Sequence, residues 1–151
     1  AAKVLIDKNS PFLKSIILNR GSKDNIKIGD AVLDGSYLVG KIVEVNYKSS
    51  RALLISDLNS KIPVTIMPGN VQSILTGTGK KNGQIQYQME EHDIESNSVV
   101  YTSGSGGIFK SGIPIGKIFK DSKIDNITVK YFSSLSQLNF VRVVSFNREE
   151  N

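Results

Sequence analysis

Apolar and polar residues alternate with a period of two along most of the chain, in short segments separated by Gly, Asn, Asp and Ser. From Gln84 to Glu90, Ile85, Tyr87 and Met89 share one face, and Gln84, Gln86, Gln88 and Glu90 share the other. The same pattern sets Ile62, Val64 and Ile66 against Lys61, Pro63 and Thr65, and Ile127, Val129 and Tyr131 against Thr128 and Lys130. A strand with one buried and one wet face reads this way. About twelve such segments are predicted, near 4–7, 15–20, 31–34, 37–47, 51–56, 62–67, 72–78, 84–90, 98–102, 114–120, 126–132 and 140–146. Pro63 predicts an edge or a bulge, because proline cannot donate to a ladder. No segment has the pattern of a long amphipathic helix, and Ser133 to Leu138 predicts one helical turn capped by Ser133 or Ser134. The class is all-β, a sandwich or barrels, and closure into barrels would remove exposed edges.

An internal repeat divides the strands into two sets. Asp24-Asn25-Ile26, Gly29 to Leu33 and Val39-Gly40-Lys41-Ile42 run parallel to Asp93-Ile94, Asn97 to Tyr101 and Ile115-Gly116-Lys117-Ile118. Ile26 aligns with Ile94 and Val32 with Val100 at a separation of 68, whereas Gly40 aligns with Gly116 at 76, so the second unit carries eight extra residues between them. Ser56 to Ser60 falls opposite Ser133 to Gln137. Two copies of one roughly six-stranded unit follow, with the break expected at the turn signal Met67-Pro68-Gly69-Asn70: residues 1–68 for the first unit, a first barrel if each closes, and 69–151 for the second. Each half is close to the smallest size that folds alone, so the two are expected to pack on each other.

Composition narrows the chemistry. The chain has 151 residues, 39% of them hydrophobic, with no cysteine, which excludes disulfides and thiolate metal sites. No apolar run approaches the roughly 20 residues that span a bilayer. The chain starts Ala-Ala-Lys without a signal-peptide pattern and is read as a soluble fragment, any membrane segment lying before Ala1. The net charge of +5 is dispersed and reads as solubility. Small barrels bind single-stranded nucleic acid through interleaved basic and aromatic side chains. No strand has that pattern, and Tyr87, Tyr131 and Phe146 fall at core positions, so no nucleic-acid partner is expected.

The stretch Val99 to Gly107, VVYTSGSGG, delivers a serine among glycines and invites comparison with two-barrel serine hydrolases of the trypsin type. Such a serine needs a positioned base. The single histidine, His92, lies in the second unit within Glu90-Glu91-His92-Asp93, whereas the two-barrel proteases take the base from the first barrel, so no catalytic residue is assigned. Gly77-Thr78-Gly79-Lys80 lacks phosphate-loop spacing and reads as a hairpin bend. Glu90, Glu91, Asp93 and Glu95 read as a wet loop, and no metal or cofactor is expected. The stretch instead opens the eight-residue excess: Gly104, Gly106, Gly107 and Gly112 allow positive φ, Phe109 can cover a barrel end, and Pro114 fixes the return toward Gly116.

The order of several motifs then becomes specific. Ser10-Pro11-Phe12, Asn19-Arg20-Gly21-Ser22, Gly29-Asp30-Ala31-Val32, Leu38 to Val45, Ser49 to Asp57, Lys61-Ile62-Pro63-Val64, Gly77-Thr78-Gly79 and Thr102-Ser103-Gly104 through Pro114 to Ile118 together resemble the rod shape-determining protein MreC family over nearly the whole chain. The resemblance implies two six-stranded barrels packed side by side in a trypsin-like arrangement without a catalytic triad. It implies an extracytoplasmic fragment, anchored to the cytoplasmic membrane by an N-terminal helix outside the fragment. The implied role is a self-associating scaffold of the elongation machinery, linking MreB and MreD to a penicillin-binding transpeptidase. For partner contact the sequence offers Val39, Ile42, Val43 and Val45, more apolar residues than one barrel face can bury, with an all-core placement as the competing expectation. Second-unit loops are expected to serve self-association.

Overall fold

The computed structural model describes residues 1–5, 14–88, 94–120 and 127–145. The strands are β1 (Ala2–Leu5), β2 (Ser15–Leu18), β3 (Ala31–Asp34), β4 (Tyr37–Val45), β5 (Ser50–Leu54), β6 (Lys61–Met67), β7 (Val71–Gly77), β8 (Gly83–Gln88), β9 (Val99–Thr102), β10 (Pro114–Lys120), β11 (Ile127–Tyr131) and β12 (Phe140–Val144). Each of the twelve alternating segments overlaps one of them, with β1 lying two residues earlier than expected. Residues 133–138 form a turn closed by the Gln137 N–H on the Ser134 carbonyl rather than a helical turn.

All pairings are antiparallel and close two barrels, in the cyclic orders β1-β12-β3-β4-β5-β2 and β10-β11-β8-β7-β6-β9. The expected division at 68/69 places β6 in the first barrel and β12 in the second; the pairing exchanges them. β6 lies between β7 and β9, and β12 between β1 and β3. The reason is local. Pro68, Gly69 and Asn70 form the tight turn of the β6–β7 hairpin, with positive φ at Gly69 (97°) and Asn70 (51°), so β6 must pair with the strand that follows it. The second barrel is therefore contiguous, from β6 to β11, and the first is closed by a strand from the far end of the chain. Pro63 is not on an edge. Its carbonyl accepts the Ser103 N–H, so its nitrogen also faces the β9 side, past the last pair of that ladder at Val64 and Thr102.

The repeat holds atom by atom once this exchange is made. Ile42 N–H donates to Asp30 O at 2.9 Å, and Ile118 N–H to Ser98 O at 2.8 Å; Gly29 N–H donates to Ile42 O, and Asn97 N–H to Ile118 O. Gly29 and Asn97 both have positive φ, 97° and 71°. Gly40 and Gly116 face the backbone carbonyls of Leu53 and Lys130, where a Cβ would collide.

Two cores result. Ile16, Leu18, Val32, Val39, Ile42, Ala52, Leu54 and Val141 fill the first barrel. The second barrel's core, with Val64, Ile66, Leu75, Val100, Ile115, Ile118 and Val129, continues into Ala31, Leu33, Leu38 and Ile55 of the first. β3 thus turns Val32 to its own barrel and Ala31 and Leu33 toward the other, and one apolar cluster holds the two barrels together.

Candidate interaction surfaces

The glycine loop joins β9 to β10. Gly104, Gly106, Gly107 and Gly112 have φ of 80°, 72°, 67° and 87°, conformations that a side chain would strain. Thr102 organises the loop: its hydroxyl donates to Lys110 O at 2.6 Å and accepts the Ile113 N–H at 2.9 Å. Ser105 is exposed in a short 3-10 turn, Ser105–Gly107, and its N–H donates to the Ser103 hydroxyl. Phe109 is only 4% exposed and belongs to the shared apolar cluster. It sits by a crevice of about 90 Å³ lined also by Gly40, Leu53, Ile55 and Ile62. The expected cover of a barrel end is therefore an anchor between barrels. Pro114 opens β10, and Gly116 makes its close approach to β11.

The expected contact residues separate. Val39 and Ile42 are fully buried in the first barrel and Val45 is half-buried against the same core, which corrects their placement on a contact face. Val43 alone is exposed, at 37%. The register between β4 and β5 shifts between Ile42 and Glu44, and this bulge breaks the alternation and turns Val43 outward. Ile28 and Tyr47, both more than 60% exposed, belong to the same end of the barrel. Gly29, next to Ile28, bonds to Ile42 beside Val43, and the Tyr47 carbonyl accepts the Lys23 N–H in the β4–β5 loop. Periodicity hid Ile28 and Tyr47, because both lie in loops.

A groove of about 940 Å³ lies where the barrels meet, lined by Lys14 and Leu54 from one side, Lys80, Lys81, Asn82 and Lys130 from the other, and Ser133 to Gln137 between them. These lysines are far apart in the sequence, so linear charge reading missed them. Tyr131 borders the groove. Its hydroxyl donates to Ile55 O at 3.2 Å across the barrel boundary, and burial pushes its phenol above the ordinary tyrosine range.

The Gly77 to Lys80 bend is the β7–β8 hairpin, with the Thr78 hydroxyl donating to Asn82 O. Among the described residues no group of three or more His, Asp or Glu could hold a metal. His92, Phe146, the Ser10-Pro11-Phe12 motif, residues 89–93 and the Tyr87 side chain lie outside what the structure describes.

Comparison with known proteins agrees with this architecture. A family model described as "Rod shape-determining protein MreC, barrel core" matches residues 4–145. Cell shape-determining protein MreC of Cereibacter sphaeroides is 33% identical over 141 residues, 93% of this chain and 47% of that protein, so the chain spans about half that relative's length. The crystal structure of MreC from Pseudomonas aeruginosa superposes with a TM-score of 0.85 at 27% identity, covering 95% of this chain and 97% of that one. A complex between penicillin-binding protein PBP2 and MreC from Helicobacter pylori matches at a TM-score of 0.68 and 18% identity over 96% of this chain and 98% of that one, a likeness of fold.

Proposed function

Because the chain belongs to the rod shape-determining protein MreC family, we propose that it is the scaffolding part of a lateral cell-wall synthesis complex and performs no catalysis itself. In this reading it stands on the extracytoplasmic side of the cytoplasmic membrane, anchored through a part of the protein outside these 151 residues. It links MreB and MreD to a penicillin-binding transpeptidase, and loops of the second barrel, the glycine loop among them, serve self-association.

The observation that carries the transpeptidase partner is the complex of the Helicobacter pylori relative with PBP2. On this chain the exposed apolar group Ile28, Val43 and Tyr47 supplies a surface that a partner would dehydrate. The competing hydrolase reading would need a base for Ser105; its hydroxyl is exposed, and the loop's hydrogen bonds serve only to fold the loop.

Two experiments test the proposal. Val43→Glu combined with Ile28→Asp places charge on the contact and is expected to weaken pull-down of the transpeptidase at least about tenfold while leaving the circular dichroism spectrum intact. Undiminished pull-down by the folded double variant removes this surface from the reading. Ser105→Ala should keep cells rod-shaped; rounded cells with an unaltered protein fold would restore the hydrolase.

A further inference from the structure

The two barrels share one plan, and each is finished by the other repeat unit. With β1 to β6 as the first unit and β7 to β12 as the second, the first barrel runs β1-β12-β3-β4-β5-β2. Replacing every strand by its counterpart in the other unit gives β7-β6-β9-β10-β11-β8, which is the cyclic order of the second barrel. Each unit therefore leaves a slot, between β1 and β3 or between β7 and β9, and its own last strand fills the slot of the other. This is the arrangement of a strand-exchanged pair, joined here within one chain.

The two exchanged strands are held unequally. β6 pairs with β7 from Lys61 opposite Thr76 to Ile66 opposite Val71, and with β9 from Val64 opposite Thr102 to Met67 opposite Val99. It buries Ile62, Val64 and Ile66, and the Pro68 to Asn70 turn ties it directly to β7. β12 meets β1 at Phe140 opposite Lys3 and Val141 opposite Ala2, and meets β3 from Arg142 opposite Leu33 to Val144 opposite Ala31. Val141 is its one buried side chain, and Phe140 is 62% exposed. Taking β12 out of its slot uncovers far less apolar surface than taking out β6.

β12 is also joined loosely to its own unit. The eight residues 132–139 between β11 and β12 contain no strand, and Ser134, Ser136, Gln137 and Asn139 are exposed. Half-buried Leu135 and Leu138 anchor the segment, and the Gln137 N–H on the Ser134 carbonyl closes its single turn. Opened out, eight residues reach up to about 28 Å, enough to carry β12 to an adjacent barrel.

We propose that copies of this chain associate by exchanging β12, the strand of one copy closing the first barrel of another. The slot between β1 and β3 already receives a strand that arrives across a linker from a different unit. A second copy's β12 makes the same ladder there and buries the same Val141, and only the linker changes path, so the exchange forfeits no strand pairing. Copies held side by side on one membrane meet at a raised effective concentration, which favours the exchanged form. The proposal rests on the reading that the protein self-associates, and adds to the second-barrel loops a strand that passes between copies.

The test uses the 151-residue chain, which has no cysteine of its own. Lys3 and Phe140 are exposed and form a non-hydrogen-bonded pair, because the bonded pair is the neighbouring one, with the Val4 N–H on the Asn139 carbonyl. Their Cα atoms therefore stand about 4.5 Å apart, within disulfide range. Two differently tagged chains, one Lys3→Cys and the other Phe140→Cys, are co-expressed, oxidised and run on a gel without reductant. Exchange predicts a disulfide-linked dimer carrying both tags, at least about tenfold more abundant than from the off-register pair Lys3→Cys with Val144→Cys. One chain carrying both Lys3→Cys and Phe140→Cys should form the bond within itself as a monomer and between chains in its dimer fraction; a bond within each chain of the dimer overturns the proposal. Sedimentation of the wild-type chain measures association independently. Wild-type dimers with two-tag disulfide at the control level overturn the exchange and leave self-association standing. A monomer throughout, with no two-tag disulfide, overturns both.

Discussion

Phe109→Ala removes the aromatic anchor of the glycine loop from between the barrels. The ring is 4% exposed and packs in the apolar cluster shared by both barrels. Truncating a buried Phe costs about 3–5 kcal/mol, the lost transfer free energy plus a cavity contribution of about 24 cal/mol per Å³. The adjoining crevice of about 90 Å³ lets the loop settle or water enter, which relieves part of the cavity contribution. The lower end, about 3 kcal/mol, is therefore expected. A chain of this size loses about 2–4 °C of melting temperature per kcal/mol, so thermal unfolding followed by near-ultraviolet circular dichroism should show a fall of about 6–12 °C. Phe109→Leu, which keeps most of the apolar volume, should fall by less than half as much. The loop's left-handed glycines should also become accessible to limited proteolysis in the alanine variant, because Phe109 is their apolar tether. A melting temperature within about 2 °C of wild type would refute the assignment of Phe109 as a buried anchor, since truncating a buried ring that holds two elements together does not cost so little.

Other consequences follow from the same contacts. Asp57→Ala leaves the Lys14 and Asn59 N–H groups without their acceptor and should cost about 3 kcal/mol in urea unfolding, at about 1.5 kcal/mol for each part-buried hydrogen bond to a charged group; a loss under about 1 kcal/mol would show that water replaces the carboxylate. A chain ending at Asn139 lacks β12 and leaves β1 and β3 without their partner, so hydrogen exchange should accelerate in the first barrel while β6 to β11 stay protected; uniform acceleration would contradict the contiguity of the second barrel. Burial raises the Tyr131 pKa in the folded state, so its contribution is complete below the unfolded value of about 10 and is lost as pH rises above it, when only the unfolded chain ionises. The urea midpoint of wild type should therefore fall more steeply than that of Tyr131→Phe between about pH 8 and about pH 11, and parallel declines would contradict the burial.

Much of this was legible along the chain because β periodicity is a local property. Ile62, Val64 and Ile66 occupy alternate positions of a strand whose faces differ in solvent exposure, and no distant contact is needed to see it. The glycine loop was legible for the same reason: positive φ at Gly104, Gly106, Gly107 and Gly112 is a demand made by consecutive residues. Val43 was harder. Its outward turn depends on a bulge opposite β5, and in the sequence it differs in nothing from its buried neighbour Ile42.

The sequence by itself determined the strands, their turns, the twofold repeat and, through the ordered motifs, the family. Strand identity follows from alternation and turn chemistry, both written into neighbouring residues. Only the tertiary structure decided which barrel each strand closes. Hydrogen-bond partners of β6 and β12 are chosen by the Pro68 to Asn70 hairpin and by the edges that the other strands leave open, so the exchange has no signature in either strand's own residues. The lysine-lined groove belongs to the same class: Lys14, Lys80, Lys81 and Lys130 become one electrostatic surface only when the two barrels meet.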